Sequence, residues 1–189
     1  MITQEDSVSS LCTEEEEFFE YIYSENFDSI KDLLENSESV LPIWDYKSKE
    51  NQNSTALHTS VFKKNLGITI LIIDHCKKYN QKNLQSFINS ENDLGVTALH
   101  YASFNGDIGI IKFLVENGAD IYKKTQKGLN VIHYCAQGNK PSSLMYFYFK
   151  LKDNINSDNQ YSLITEKDSG GLPLFIGLFT QWQKIYYYT

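Results

Sequence analysis

The feature of this sequence that most constrains its fold is a short motif that recurs along the chain. It reads Ser-Thr-Ala-Leu-His at 54–58, Gly-Val-Thr-Ala-Leu-His-Tyr-Ala at 95–102 and Gly-Leu-Asn-Val-Ile-His-Tyr-Cys-Ala at 128–136. The histidines that align the copies, His58, His100 and His133, are 42 and 33 residues apart. A period of this length predicts stacked units, because one such unit buries its apolar face only against a neighbour.

The copy from Asn92 to Tyr122 predicts two helices joined by a tight turn. Thr97 is suited to cap the first helix, and Asn105-Gly106-Asp107 combines a stop signal with a start signal. Apolar residues at 110, 111, 113 and 114 then form the stripe of a buried second helix. Gly118 follows as a C-terminal glycine of that helix.

This pattern resembles the ankyrin repeat, whose period is about 33 residues and whose signature is Thr-Pro-Leu-His-x-Ala. The resemblance implies an all-α ankyrin-repeat solenoid of stacked helix pairs with short β-turns. The longer intervals then contain insertions, at 79–90 and around 153–168. We expect turns near Gly95 and Gly128 that project to one side, no large sheet, and helix pairs at about 18–35, 55–78, 97–117 and 130–151.

Both ends of the array are predicted to differ from the central copies. Apolar residues at 18, 19 and 22, and again at 27, 30, 33 and 34, predict a capping helix pair without the Thr-x-x-His signature. A degraded copy begins Gly-Gly-Leu-Pro-Leu-Phe at 170–175. We therefore divide the chain into a flexible tail, 1–12, and a repeat domain, 13–189, with about four repeats and an incomplete fifth from 168.

The C-terminal end predicts an exposed apolar surface. The fifth unit supplies an apolar segment at 172–179, and about ten residues remain after Phe179, too few for a second helix and a cap. These residues include Trp182 and Tyr186-Tyr187-Tyr188. We expect the chain to self-associate, or to dock onto a neighbouring domain, through this end.

Residue types that often carry chemistry have structural roles in this pattern. Each motif histidine lies three residues after a helix-capping position, where it can bond to the cap. Cys135 occupies a small-residue position and is expected to be buried and inert, while His75 points away from its neighbour Cys76. We predict no catalytic residues, no metal site, no cofactor and no enzyme activity for this chain.

Composition narrows the possible partners and the compartment. The net charge is −7 and all 17 basic residues are lysines, so the bidentate Arg contacts typical of nucleic-acid recognition are missing. The acidic run at 14–17 does not fit a signal peptide, and the longest apolar runs are about eight residues. Three unpaired cysteines fit a reducing compartment. We expect a cytoplasmic chain that binds no nucleic acid and does not insert into a membrane.

The ankyrin resemblance implies a partner-binding groove. In such arrays the turn tips and the exposed side of the first helices form a concave surface that takes up another protein or a peptide segment. Carried onto this sequence, the strip comprises Asn51, Gln52, Ser54, Phe62, Lys63, Asp93, Leu94, Val96, Phe104, Asn105, Gln126, Leu129 and Gln137. Aromatic anchors dominate the binding energy of such surfaces, so Phe104 is the main candidate.

The stretch from Gly128 to Phe147 is also similar to the ankyrin region of protein S-acyltransferases of the Asp-His-His-Cys type. The shared features are a Gly-x-Asn-x-x-His start, an Ala-Gln-Gly turn and a Ser-Leu-x-Tyr-Phe helix. Gly138 falls five residues after His133, whereas Gly106 falls six after His100, which predicts a first helix one residue shorter. In that family the array faces the cytosol and captures substrates.

This sequence also departs from that family. It contains no Asp-His-His-Cys motif and no zinc-spaced cysteines, so no catalytic residue is carried over. The Thr and His of the next repeat are lost at 170–177. Three hypotheses remain: a binding module that recruits a substrate or partner, one part of an S-palmitoyltransferase whose membrane domain is missing here, or a structural adaptor. The identity of the partner and the oligomeric state lie beyond the sequence.

Overall fold

The computed structural model describes residues 14–36 and 46–153 of the 189-residue chain. These residues form nine α-helices, two short strands and two 3₁₀ turns, Lys49–Asn51 and Gln81–Asn83. The strands are β1 (Lys47–Ser48) and β2 (Ser54–Thr55), which pair antiparallel. The helices are α1 (Glu14–Tyr23), α2 (Phe27–Asn36), α3 (Ala56–Phe62), α4 (Leu66–Asn80), α5 (Leu84–Ile88), α6 (Ala98–Asn105), α7 (Ile108–Glu116), α8 (Val131–Gln137) and α9 (Pro141–Asp153).

The helices stack as pairs, which confirms the predicted solenoid. Within each unit the first helix packs on the second, α1 on α2, α3 on α4, α6 on α7 and α8 on α9. Between units, first helices pack on first helices, in the order α1, α3, α6, α8. Asn65 and Asp107 cap the second helices of their units, since each side chain accepts a hydrogen bond from the helical N–H three residues on.

The apolar stripes of all four pairs merge into one core that runs the length of the stack. Phe18, Ile22, Ile30 and Leu34 confirm the predicted capping pair, because all four are buried. Phe27 corrects it. This side chain begins α2 at the edge of the pair and is 44% exposed.

The predicted insertion at 79–90 holds the end of α4, a 3₁₀ turn and the short helix α5. Phe87 and Ile88 are buried in the common core. Asn89 bonds to the next unit from both ends of its amide, donating to the Gly118 carbonyl at 3.0 Å and accepting from the Asp120 N–H at 2.7 Å. The insertion is therefore a packed link between the second and third units.

The turns that precede the first helices stack on one side of the molecule, as predicted. The Asp93 N–H donates to the Gln52 carbonyl at 2.8 Å, and the Gln126 N–H donates to the Leu94 carbonyl at 3.0 Å. Gly95 lies at the second of these contacts with a φ of +72°, and a Cβ there would lie 2.8 Å from the Gln126 nitrogen. Glycine is needed at this position both for the left-handed backbone and for the close approach.

The fourth unit has the shorter first helix that its sequence predicts. Helix α8 has seven residues and α6 has eight, as the displaced Gly138 predicted. Pro141 is the first residue of α9, where its missing N–H is not needed. Four consecutive aromatic residues, 146–149, lie on α9, where Phe147 is buried and Phe149 is 47% exposed. The predicted tail at 1–12 and the fifth unit from 168 lie outside the described residues.

Candidate functional site

The motif histidines form hydrogen bonds with the residues that cap the first helices. In the second unit the Thr55 N–H donates to His58 Nδ1 at 3.1 Å, and the Thr55 hydroxyl lies 2.8 Å from the same nitrogen. Because Nδ1 accepts, Nε2 carries the proton and donates to the Val96 carbonyl of the next unit at 2.9 Å. This network confirms the structural role predicted for the histidines.

The hydrogen bond between the capping residue and the motif histidine recurs in the following units. His100 Nδ1 accepts from the Thr97 N–H at 3.2 Å, and His133 Nδ1 accepts from the Asn130 N–H at 3.2 Å. Burial lowers the pKa of His58 and that of His100 to about 4, because a charged imidazole would lose its water shell. Both side chains are neutral at physiological pH, and His58 also bonds to the next unit through the Val96 carbonyl.

Most of the predicted strip lies on the surface beside the stacked turns. Phe62 is 59% exposed and Phe104 is 45% exposed, each at the end of a first helix. The other exposed members are Gln52, Asp93, Leu94, Gln126 and Gln137, and the half-buried ones are Asn51, Lys63, Asn105 and Leu129.

Two members of the predicted strip are corrected by the structure. Ser54 is 5% exposed and Val96 is 3% exposed, because each side chain points into the stack where one turn meets the next. Asn92 reaches Ser54 across that junction, Nδ2 to Oγ, at 3.4 Å. At these exposures neither side chain offers more than a small contact area to a partner.

A pocket of about 310 Å³ opens between the first turn and the first helices. Asn51, Gln52, Ser54 and Phe62 from the predicted strip line it, so the structure brings these four together. Five further lining residues were not in the predicted strip: Tyr23, Glu50, His58, Thr59 and Tyr101.

The aromatic wall of this pocket extends between units. Tyr101 packs edge-on against Phe62, with ring centroids 5.9 Å apart, and against His58 at 6.1 Å. The Asn105 amide donates to the Val61 carbonyl of the preceding helix at 3.0 Å. Together these contacts join the second and third units along the concave face.

The register of the repeat explains which residues face this groove. The residue directly after the motif histidine is Thr59, Tyr101 or Tyr134, depending on the unit. The fourth residue after the histidine is Phe62, Phe104 or Gln137. Residues one and four positions after the same point lie three apart on a helix and share a face. This spacing was in the sequence, and it identifies Tyr101 as a groove residue.

A second, larger pocket of about 660 Å³ adjoins the first at Tyr23 and Glu50, which line both. It lies between α1 and the β1 turn, and Phe19 contributes an apolar side chain to its lining. Its other residues are charged or polar: Glu15, Glu16, Glu20, Lys47, Ser48 and Lys49. Of the two adjoining pockets, the smaller has an aromatic lining around Phe62 and Tyr101, and the larger has a mostly ionic lining beside α1.

Across 14–36 and 46–153, His, Cys, Asp and Glu side chains do not gather in threes as metal ligands would. Cys135 is buried, and burial raises the pKa of its thiol to about 12, which removes the reactive thiolate. Within the same residues, no helix is long and apolar enough to cross a membrane.

Comparison with known families matches residues 18–125 to the model for ankyrin repeats (3 copies). Among curated proteins, the Notch-regulated ankyrin repeat-containing protein of Xenopus laevis is 31% identical over 83 residues, which are 44% of this chain and 73% of that protein. The putative ankyrin repeat protein L371 of Acanthamoeba polyphaga mimivirus is 39% identical over 72 residues, 38% of this chain and 8% of that protein.

A palmitoyltransferase is also among the relatives. The protein AKR1 of Debaryomyces hansenii is 28% identical over 75 residues, which are 40% of this chain and only 9% of that protein. Among solved structures, a chain from the complex of yeast ribosomal protein Rps3 with its chaperone Yar1 superposes with a TM-score of 0.67. It is 26% identical, and the match covers 74% of this chain and 93% of the other.

Proposed function

Because the chain belongs to the ankyrin-repeat family, we propose that it binds a segment of another protein along its concave groove. The observation that carries the proposal is the pair of exposed phenylalanines, Phe62 and Phe104, at equivalent positions of adjacent units. Large apolar side chains at 59% and 45% exposure are costly to leave in water, and a partner that covers them removes that cost.

The geometry of the groove supports a peptide-like ligand. The stacked turns form one wall and the first helices form the other, with the pocket of about 310 Å³ between them. Gln52, Asp93 and Gln126 stand exposed along the turns. The Asp93 carboxylate accepts from the Asn53 amide at 2.8 Å, and the Gln126 amide donates to the Asp93 carbonyl at 2.6 Å. The remaining acceptor capacity of these side chains can pair with the N–H groups of a bound backbone. Buried His58 and the inter-turn hydrogen bonds keep this surface rigid, so binding costs little ordering entropy.

The substitution Phe104→Ala tests this proposal. We expect it to weaken partner binding by more than about 1 kcal/mol, a fivefold or greater loss, while the domain stays folded. The matched control is Phe149→Ala on α9, because Phe149 has nearly the same exposure, 47%, and lies on a second helix, whereas Phe104 lies on a first helix.

The assay is affinity capture with quantitative mass spectrometry for both variants and the unchanged chain, followed by titration of the recovered partner. A partner retained by Phe149→Ala and lost by Phe104→Ala supports the groove. If every captured protein responds equally to both substitutions, the proposal is wrong. Loss of the fold in Phe104→Ala, seen by circular dichroism, would place Phe104 in the core and also refute it.

We further propose that the bound protein is recruited as a substrate for S-palmitoylation, as the resemblance around Gly128 to Phe147 implies. The relative AKR1, a palmitoyltransferase, supports this with 28% identity over 75 residues. Sequencing the transcript beyond the codon for Thr189 is the direct test. A downstream open reading frame with an Asp-His-His-Cys motif supports this part of the proposal. A stop codon directly after Thr189 in the native transcript contradicts it, because the chain would then carry no enzyme domain.

The remaining parts of the proposal concern domain limits, compartment and self-association. We propose a single repeat domain over 13–189 that works in the cytoplasm, or on the cytosolic face of a membrane if it belongs to an S-acyltransferase. The burial of Cys76 and Cys135 as core side chains is consistent with a reducing compartment. We also propose self-association through the apolar C-terminal end. Removing the residues from Gly171 onward should reduce association in sedimentation while the four helix pairs stay folded.

A further inference from the structure

The charge of this molecule is divided along the stack. Helices α1 and α2 and their connection, residues 14–36, contain nine acidic residues and one lysine, Lys31. Residues 46–153 contain eight acidic residues and 14 lysines. The first unit is therefore strongly negative and the following units are positive, although the whole chain is moderately acidic at −7.

The negative charge reaches the concave face through one side of α1. Glu16, Glu20 and Tyr23 are four and three residues apart, so they share a helical face, and all three line the larger pocket. Glu50 approaches the same space from the turn and also lines the smaller pocket. Four glutamates and two lysines border this cavity, which leaves an excess of negative charge.

The pocket also offers apolar and aromatic surface beside the carboxylates. Phe19 is a buried part of the lining, and the Tyr23 ring is exposed where the two pockets meet, with its hydroxyl bonded to the Asn51 amide. An alkyl stem that ends in a positive charge fits such a lining, since its methylenes cover the rings while the head reaches the carboxylates.

We propose that the N-terminal end of the groove binds a lysine- or arginine-rich stretch of the partner segment, which lies on the glutamates of α1 and on Glu50. This inference rests on the proposed function and adds a direction to it. The basic stretch lies at α1, and the apolar residues that follow reach Phe62 and Phe104. Charge complementarity of this kind fixes register and speeds encounter, more than it adds affinity.

The probe is a fluorescein-labelled peptide of alternating lysine and glycine followed by two phenylalanines, and its control has glutamate in place of lysine. We expect fluorescence anisotropy to detect binding of the lysine peptide only. Glu20→Gln with Glu50→Gln should weaken it roughly three- to tenfold, the usual effect of removing two partly exposed ion pairs. Raising the salt concentration should reduce this difference, because exposed charges are screened.

The matched control is Asp32→Asn with Glu35→Gln, which removes the same two charges from α2, outside both pockets. Equal weakening by the two double variants would show attraction to net charge alone and would overturn the proposal. Absence of binding by the lysine peptide would also overturn it. If the chain itself forms a dimer that Glu20→Gln with Glu50→Gln dissociates, the occupant is a second copy and the proposal is wrong.

This experiment separates the two proposals. A lysine peptide that fails to bind, together with a partner that still depends on Phe104, removes the basic-segment inference and leaves the groove in place. If binding of the partner depends on neither Phe104 nor Glu20, both the groove proposal and the basic-segment inference are wrong.

Discussion

Gly138 lies where the third and fourth units approach most closely, and its replacement by alanine tests that contact directly. A Cβ added there would overlap the Phe104 carbonyl oxygen and lie 2.9 Å from the carbonyl carbon. Real Cβ atoms essentially never come within 3.0 Å of such atoms, and a backbone carbonyl cannot swing aside as a long side chain can. The φ of Gly138 is −75°, so the expected strain is steric and not conformational.

The size of the effect follows from two opposing terms. Overpacking of this kind costs about 1–3 kcal/mol, and the loss of glycine's freedom in the unfolded chain returns about 0.4–1 kcal/mol. Because the Cβ would overlap a backbone oxygen, we take the upper end of the overpacking cost, about 3 kcal/mol, and expect Gly138→Ala to destabilise the contact between α6 and α8 by about 2 kcal/mol. With a typical urea dependence, this lowers the unfolding midpoint by about 1 M.

The local assay uses the buried thiols. Cys135 lies on α8 near the strained contact and Cys76 lies on α4, and both are buried. In a Cys12→Ser background, a thiol reagent should label Cys135 roughly 30-fold faster in Gly138→Ala, as a change of about 2 kcal/mol in the opening equilibrium implies. Labelling of Cys76 should change much less.

The matched control is Gly67→Ala in the first turn of α4. A Cβ there meets only the Asn65 side chain at 3.4 Å and the Phe27 ring at 3.9 Å, which are ordinary contacts. This change should stabilise the protein by up to about 1 kcal/mol, because alanine favours helix over glycine. Equal urea midpoints and equal Cys135 labelling in Gly138→Ala and the unchanged chain would refute the argument from close approach.

Two further predictions concern the buried histidine network. The folded-state pKa of His58 and that of His100 are about 4, below the ordinary 6.5, so their contribution to stability is complete above pH 6.5 and is lost as pH falls toward 4. Each should cost about 2 kcal/mol at pH 5, visible as a lower urea midpoint, and a midpoint unchanged from pH 7 to 5 would contradict this. Thr97→Ala removes the hydroxyl 2.8 Å from His100 Nδ1 and should cost about 1 kcal/mol in the same titration, whereas no loss would show that the backbone donor is sufficient.

The sequence determined the repeat and its local structure because these depend on residues close together in the chain. Thr97 and His100 are three residues apart, so the cap they form could be predicted before any tertiary contact was known. The same holds for the capping pair at α1 and α2, whose apolar spacing produced five buried side chains. The resemblance to ankyrin arrays placed Phe104 on the exposed side of its helix, and it is 45% exposed.

Only the tertiary structure decided which of the strip residues are accessible. Ser54 and Val96 are buried because the neighbouring turn covers them, and that contact joins residues about 40 positions apart. Likewise, the pocket brings Tyr23 of the first unit and Tyr101 of the third together with Phe62 of the second, and the predicted strip contained neither tyrosine. Periodicity specifies the face of a helix, but the stacking of units determines what lies across from that face.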